Sequence, residues 1–382
     1  MTFALTVDRA LFEKNINSII DDFKKVNAQV IPVIKGNGYG FTRRTLSHES
    51  TKLGVKRIAV GTVFELDQAL TDFGNEIVVL EPFNPNDHEA IEAWQHATKN
   101  NAHRIIAVIA GSDFSQAANA GIKFALVEGK TSTHRFGVNP NDILGLINGD
   151  QHNIQIVGLN LHLPIVDPEN LDLKVFSSSA RVNIKKSSSR LNEIFSWIKA
   201  IAPRVNEMGW PLKLNLSHVS TKDVSQIFEF ARENNLNIEV SVRLGTSLWL
   251  GNQKGLQATG TVLEIHELTG DHEHVGYRQV DGHGHARLLV VSGGTAHGVA
   301  LAAPASRNTL RLKAIAFSEG ISESLGKVRS PFKLGKKNLP FAEPPHMHVS
   351  LLWCEDRKVK IGDQLECTVR NTTATFDVIN FR

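Results

Sequence analysis

The chain has 382 residues, 41% of them hydrophobic and 21% charged, and a formal charge of +3 at neutral pH. Such a length suits two domains better than one ordinary core, and so small a charge argues against nucleic acid or a membrane surface as partner. No run of ~18 apolar residues marks a membrane span. Asp8 and Arg9 fall where a signal peptide needs apolar residues, and Cys354 and Cys367, the only cysteines, make no disulfide framework, so a cytoplasmic protein is expected.

In chain order, the first predicted element is a helix over 11–25, where Phe12, Ile16, Ile19, Ile20 and Phe23 share one face. A rhythm follows. Apolar runs stand at 29–34, 56–60, 76–81, 104–110, 122–127, 153–161, 212–217 and 238–244, with amphipathic helical patterns such as 64–73 and 225–235 between them. Continuous rather than alternating apolar runs indicate parallel strands covered on both faces. Eight of them fit a (β/α)8 TIM barrel, which typically takes ~250 residues; an open, doubly wound sheet is the competing arrangement. The Ser/Lys-rich piece 177–190 reads as an unusual start to the helix that continues through 191–202, with a linker as the alternative. Beyond about residue 250 helical periodicity fades, and short β-like runs appear at 258–268, 286–293, 309–317, 346–353 and 364–370. The expected organisation is a barrel over 1–250 and a mostly β C-terminal domain over 251–382.

In a parallel barrel, reactive groups sit where the strands end and the βα loops converge. Those positions hold Lys35, Glu128, His162 and Ser217, then Arg243 with Gly245 and Thr246, while Arg135 lies on the loop after the fifth strand. Each has a plainer explanation: a lysine at a strand end often snorkels, a histidine beside an apolar run can be a satisfied core residue, and Arg243 with Glu128 can be a structural ion pair. Their convergence at one end of one barrel favours a shared site, because burying so many polar groups without use is costly. The segment "KGNGYG" is not a phosphate-binding P-loop, since its lysine precedes the glycines. A desolvated lysine there can have its pKa lowered toward neutrality and condense with an aldehyde. Ser217, the backbone N–H groups of Gly245 and Thr246, and the hydroxyl of Tyr39 can hold a phosphate. Pyridoxal phosphate needs such an amine, such donors and a partner for its ring nitrogen.

The segments "VIPVIKGNGYG", "HRFGVNP", "GLNLHL", "LNLSHVS" and "VRLGTSLWLG" come in the order and spacing of the alanine racemase family. These are fold-type III pyridoxal phosphate enzymes, and the chain resembles them through about residue 251. The resemblance implies that Lys35 carries the cofactor, Tyr39 helps bind its phosphate, Arg243 contacts the pyridine nitrogen and His162 packs beside the ring. It implies that Arg135 approaches the cofactor oxygen and the substrate carboxylate. Racemisation needs a second acid/base on the opposite face of Cα; in the family a tyrosine of the β domain supplies it across a homodimer interface. "EHVGYRQV" (273–280) offers Tyr277, one of only two tyrosines in the chain. The expected activity is therefore interconversion of L- and D-amino acids, most simply alanine, by two bases.

Three departures stand out. Where the family often has a carbamylated lysine, seven residues before the arginine, this chain has Glu128, which supplies negative charge directly. A Gly-Tyr-Ala-Asp-Gly segment of the family stands here as "GTAHG" (294–298), with Thr295 and His297 replacing its tyrosine and aspartate. The Met-Asp pair that helps hold substrate carboxylate appears as Met347 and His348. The alternative is thus a pyridoxal phosphate-binding relative with altered substrate or without racemase activity. His272 and His274, His283 and His285, and His346 and His348 would each share a strand face if extended; they read as surface or interface groups, and no metal site is assigned.

Overall fold

The computed structural model describes residues 2–165, 189–209, 211–268, 273–301 and 329–382. The strand expected over 309–317, most of the Ser/Lys-rich piece and His272 lie outside the described residues. The chain divides into two compact units, one formed by residues 16–38 and 42–250, the other by 1–15, 39–41 and 251–382. The first fifteen residues, expected with the barrel, belong to the second unit. Their strand β1 (Phe3–Val7) pairs with segments of the second unit, residues 256–260 and 378–381, and helix α1 (Arg9–Lys25) follows it.

The first unit is the expected barrel. Its strands are β2 (Ala28–Pro32), β3 (Arg57–Val60), β4 (Glu76–Pro82), β5 (Ile105–Ile109), β6 (Phe124–Gly129), β7 (Gln155–Leu161), β8 (Leu212–Ser217) and β9 (Ile238–Leu244). All eight are parallel, in the order β2-β9-β8-β7-β6-β5-β4-β3, and a bridge between Val33 and Ala59 joins the two ends. The helices between them are α2 (Arg43–Lys52), α3 (Leu66–Asp72), α4 (His88–Asn101), α5 (Phe114–Asn119), α6 (Ile143–Asn148), α7 (Ser189–Met208) and α8 (Thr221–Glu233), and the short α9 (Thr246–Leu250) follows β9. Ile31, Val33, Ala59, Val78, Ile106, Val108 and Leu126 form one buried cluster from alternate positions of neighbouring strands. All five residues of β5 are buried, which is why it reads as an unbroken apolar run. Helix α8 starts on a capping box, in which Ser220 and Asp223 satisfy each other's backbone N–H groups.

The second unit is mostly β. Strand β1 lies between β10 (Leu256–Glu267), antiparallel, and β18 (Val378–Phe381), parallel. Short strands β11 (His274–Val275) and β12 (Val280–Asp281) form a hairpin, and β13 (Arg287–Ser292), β14 (Arg329–Leu334), β15 (Lys337–Pro340), β16 (Val349–Trp353) and β17 (Gln364–Cys367) complete the described strands. Phe3, with no exposed surface, stacks on Phe376 at 5.3 Å and meets Phe332 edge-on in the core that also buries the unpaired Cys354 and Cys367. Among the described residues no helix is long and apolar enough to cross a membrane.

One tertiary bond bears on the site. The indole Nε1–H of Trp249, on α9, donates to the carbonyl of Val33 at 2.8 Å, two residues before Lys35. Trp249 is buried, so Trp249→Phe leaves that carbonyl short of a partner. Its expected cost is about 1–2 kcal/mol of unfolding free energy in urea titration.

Candidate active site

Strand register assembles the polar groups in rows. Glu128 pairs with Asn160 across β6 and β7, Asn160 with Asn215 across β7 and β8, and Ser217 with Arg243 across β8 and β9. Arg243 in turn pairs with Ile31 on β2, after which the chain continues to Lys35. Glu128 and Arg243 lie within the last turns of pleat of their strands, His162 directly follows β7, and Ser217 ends β8. The barrel mouth therefore holds Lys35, Glu128, His162, Ser217 and Arg243 together.

Backbone geometry sets the two loops that matter most. After Lys35, Gly36 donates its N–H to Glu65 Oε1 at 2.8 Å, and Gly61 donates to Oε2 of the same carboxylate at 2.7 Å. Arg43 closes the turn with a 2.6 Å bond to the carbonyl of Gly36. Gly38 has φ 62°, and a Cβ there would lie 2.6 Å from the amide nitrogen of Arg43, so this position needs glycine. Tyr39, at φ 55°, is 7% exposed and groups with residues of the β unit. In the Arg135 loop, Gly137 has φ 110°, and a Cβ would lie 2.6–2.7 Å from backbone atoms of residues 128–130. That close approach lets Val138 bond back to Glu128 and Lys130, which makes the loop a tight excursion carrying Arg135. Thr131 ties the same loop to the carbonyl of His162 at 2.6 Å.

The electrostatics are those of crowded cations. Arg243 is 6% exposed and donates from Nη2 to the carbonyl of Leu161 at 3.0 Å; burial lowers its pKa, with Glu128 opposing and Arg135 adding. Lys35 reaches the open mouth of the barrel, yet desolvation and then the charges of Arg135 and Arg243 lower its pKa against the pull of Glu65. Burial, with Arg243 and Arg135 next, pushes His162 down to about 3, so its imidazole is neutral at pH 7. Its Nδ1 lies 3.4 Å from Ser217 Oγ, which accepts the N–H of Leu163 at 3.1 Å. Glu128, 5% exposed and hydrogen-bonded by Asn160, is raised by burial to about 7 although Arg243 and Arg135 pull it down.

Three buried polar atoms of this layer have no hydrogen-bond partner among the described residues: Arg243 Nε, Asn160 Oδ1 and Asn215 Oδ1. An unmet guanidinium N–H costs free energy unless an acceptor comes. A pyridine nitrogen with its lone pair is such an acceptor, and Lys35 is an amine of lowered pKa in the same mouth. The residues present thus fit pyridoxal phosphate. Gly245 links β9 to α9, and Thr246 begins α9. Tyr277 and Met347 lie in the β unit, 85% and 67% exposed.

Four residues went unread in the sequence. His218 stands T-shaped to His162 at 5.5 Å, its pKa lowered by burial, Arg243, Arg190 and Lys35; a second imidazole beside Ser217 was its signal. Asn160 and Asn215 were visible as asparagines at matching places in two apolar runs. Glu65 had no local signal. His346 and His348 do not share a strand face: they precede β16 in irregular chain, with His346 against Tyr277 and His348 against His297.

A closed parallel barrel with a lysine at its mouth and a β unit after it defines the class, that of the fold-type III pyridoxal phosphate proteins. The chain belongs to the alanine racemase family, whose N-terminal domain pattern matches residues 7–200. Solved structures agree on the fold. Alanine racemase of Clostridium difficile 630 superposes with a TM-score of 0.64 at 14% identity, covering 97% of this chain and 87% of that one. Alanine racemase from Bartonella henselae, a structure with covalently bound pyridoxal phosphate, gives 0.62 at 16% identity over 96% and 90%. The biosynthetic alanine racemase from Pseudomonas aeruginosa gives 0.58 at 16% over 97% and 91%. No curated protein sequence matches.

The Glu128 shift has a sign that can be measured. In the unfolded chain the carboxyl loses its proton near its ordinary 4.5, in the folded protein near about 7. Between those values the folded state binds more protons, so this group's contribution to stability falls as pH rises and is constant above about 7. Denaturant titrations from pH 4.5 to 8 are expected to lose that component of the decline in Glu128→Gln, whatever its stability at any single pH.

Proposed function

We propose that this protein is a pyridoxal phosphate-dependent amino-acid racemase, with alanine the simplest substrate, working as a homodimer through two opposed bases. The observation that carries the reading is Lys35, its pKa lowered, beside a buried Arg243 whose Nε lacks an acceptor. Lys35 holds the cofactor and moves a proton at one face of Cα. Arg243 would meet the ring nitrogen with a donor that does not release its proton, which would keep that nitrogen unprotonated. His162, neutral, packs beside the ring without adding charge. Ser217, the N–H groups of Gly245 and Thr246, and Tyr39 hold the phosphate. Arg135 takes the substrate carboxylate, oriented by Glu128, with Met347 as a further substrate contact. Bound pyridoxal phosphate supplies the electron withdrawal that makes the Cα proton acidic. Held against Arg243, the cofactor would withdraw electrons less strongly than a protonated ring, which would favour return of the proton to Cα over transamination.

The second face needs its own base. Tyr277 of one chain fills that role in the barrel mouth of a second copy; its exposure leaves the phenol free to do so. A specific observation supports the non-racemase alternative. Thr295 and His297, which replace the family's tyrosine and aspartate, are engaged within their own unit. His297 lies 3.4 Å from Asp377 and accepts the N–H of Gly294, and Thr295 lies 3.5 Å from the carbonyl of His346.

With added cofactor the protein is expected to be yellow, and borohydride is expected to fix the chromophore on Lys35, as peptide mapping would show. In deuterated water a panel of amino acids should reveal one that exchanges at Cα and racemises. Tyr277→Phe should keep the colour while racemisation falls by roughly 10²–10⁴-fold. Unchanged turnover in that variant would remove Tyr277 from the mechanism, and colour without exchange on any amino acid would favour the alternative.

A further inference from the structure

The β unit has an array of its own around Tyr277. Glu343 is 5% exposed; its Oε1 accepts the backbone N–H of Tyr277 at 3.0 Å and lies 2.5 Å from His346 Nε2, while Oε2 accepts the N–H of Arg278 at 2.9 Å. Burial alone would raise this carboxyl, but the bonds from Arg278, His346 and Tyr277 outweigh it and hold its pKa below the ordinary value. Gly276 has φ 74°, and a Cβ there would overlap the Glu343 carboxylate, so glycine is what lets the carboxylate reach beneath the turn. The His346 ring stacks on the Tyr277 ring with centroids 4.3 Å apart and planes 26° from parallel.

An exposed side chain normally moves among rotamers on the nanosecond scale. Tyr277 is 85% exposed, yet a buried carboxylate anchors its backbone and an imidazole tied to that carboxylate covers one face of its ring. We infer that Glu343 and His346 are positioning residues for Tyr277, fixing the turn at 276–278 and the plane of the phenol so that its hydroxyl is presented to a second copy of the chain in one orientation. This inference rests on the racemase reading, in which Tyr277 is the group that meets Cα. Proton transfer demands such placement, since a displacement of about 1 Å can cost on the order of 10²-fold in rate.

The chain contains only two tyrosines, so 3-fluorotyrosine labelling of the full-length protein yields two fluorine resonances. Tyr277→Phe identifies the second-base signal by its loss. Ring stacking should displace that signal from the position of free 3-fluorotyrosine. His346→Ala should return it to the free position, Glu343→Gln should move it part of the way, and His346→Phe, which restores an aromatic face, should recover most of the displacement. On the holoprotein, kcat for racemisation should fall roughly tenfold to hundredfold in His346→Ala at unchanged KM, and recover in His346→Phe. A Tyr277 signal indifferent to His346→Ala and Glu343→Gln would overturn the inference. So would a signal that moves while kcat stays constant. If the parent protein exchanges no amino acid at Cα, the racemase reading fails by itself, and the fluorine shifts alone decide whether the array holds the ring.

Discussion

Arg243 is a guanidinium buried near the end of a barrel strand, where the charge of Glu128 opposes the effect of its burial. A guanidinium keeps its proton, so the surrounding groups must accommodate a permanent charge at low dielectric. Lys35 is made easier to deprotonate and His162 is neutral. Glu128 is caught between burial, which favours its acid form, and two arginines, which favour its anion. Burial is the first cause of all three shifts; the charge of Arg243 adds to it at Lys35 and His162 and opposes it at Glu128. A mouth with a neutral residue at 243 would lose the charge that helps depress both Lys35 and His162, and would lose the unpaired donor that a ring nitrogen can meet.

The charge would be useless without close backbone tolerances around it. Glu65 ties two amides, one beside Lys35 and one on the chain after β3, and so links the loops at the joined edges of the barrel. A Cβ on Gly61 would lie 3.1 Å from Lys35 Cβ and 3.3 Å from Glu65 Oε2, so even a methyl group there would press on both. The Arg135 loop depends in the same way on Gly137, which alone permits its return against the backbone of β6. Two short motifs, "KGNGYG" and "HRFGV", thus carry glycine for steric reasons that can be stated, independent of any ligand.

The barrel was legible because strands buried on both faces write themselves as continuous apolar runs, and Ile105–Ile109 is such a run without exception. The mouth was legible because polar residues ending those runs have one place to go in a parallel barrel. What failed was non-local. "FALTV" reads as any strand, and only its pairing with β10 and β18, hundreds of residues away, assigns it to the second unit. Glu65 lies in what reads as the start of an amphipathic helix, and its role exists only through tertiary bonds to Gly36 and Gly61. The alternation in "HMHVSLLW" suggested a strand face for His346 and His348, but Pro344 and Pro345 immediately before it break the ladder and send His346 toward Glu343 instead.

The two tyrosines divide along a physical line that composition only hinted at. Tyr39 is nearly buried in a left-handed turn, where a phenol with one allowed environment suits static binding. Tyr277 is almost wholly exposed, with the His346 ring against one of its faces. Exposure normally means freedom, which would not suit the proton-transfer role proposed for Tyr277. The array of Glu343 and His346 resolves that conflict by ordering the backbone and one ring face while leaving the hydroxyl edge open. The bonds from Tyr277, Arg278 and His346 compensate the burial of Glu343, and in the racemase reading the turn they hold presents Tyr277 to a second copy of the chain.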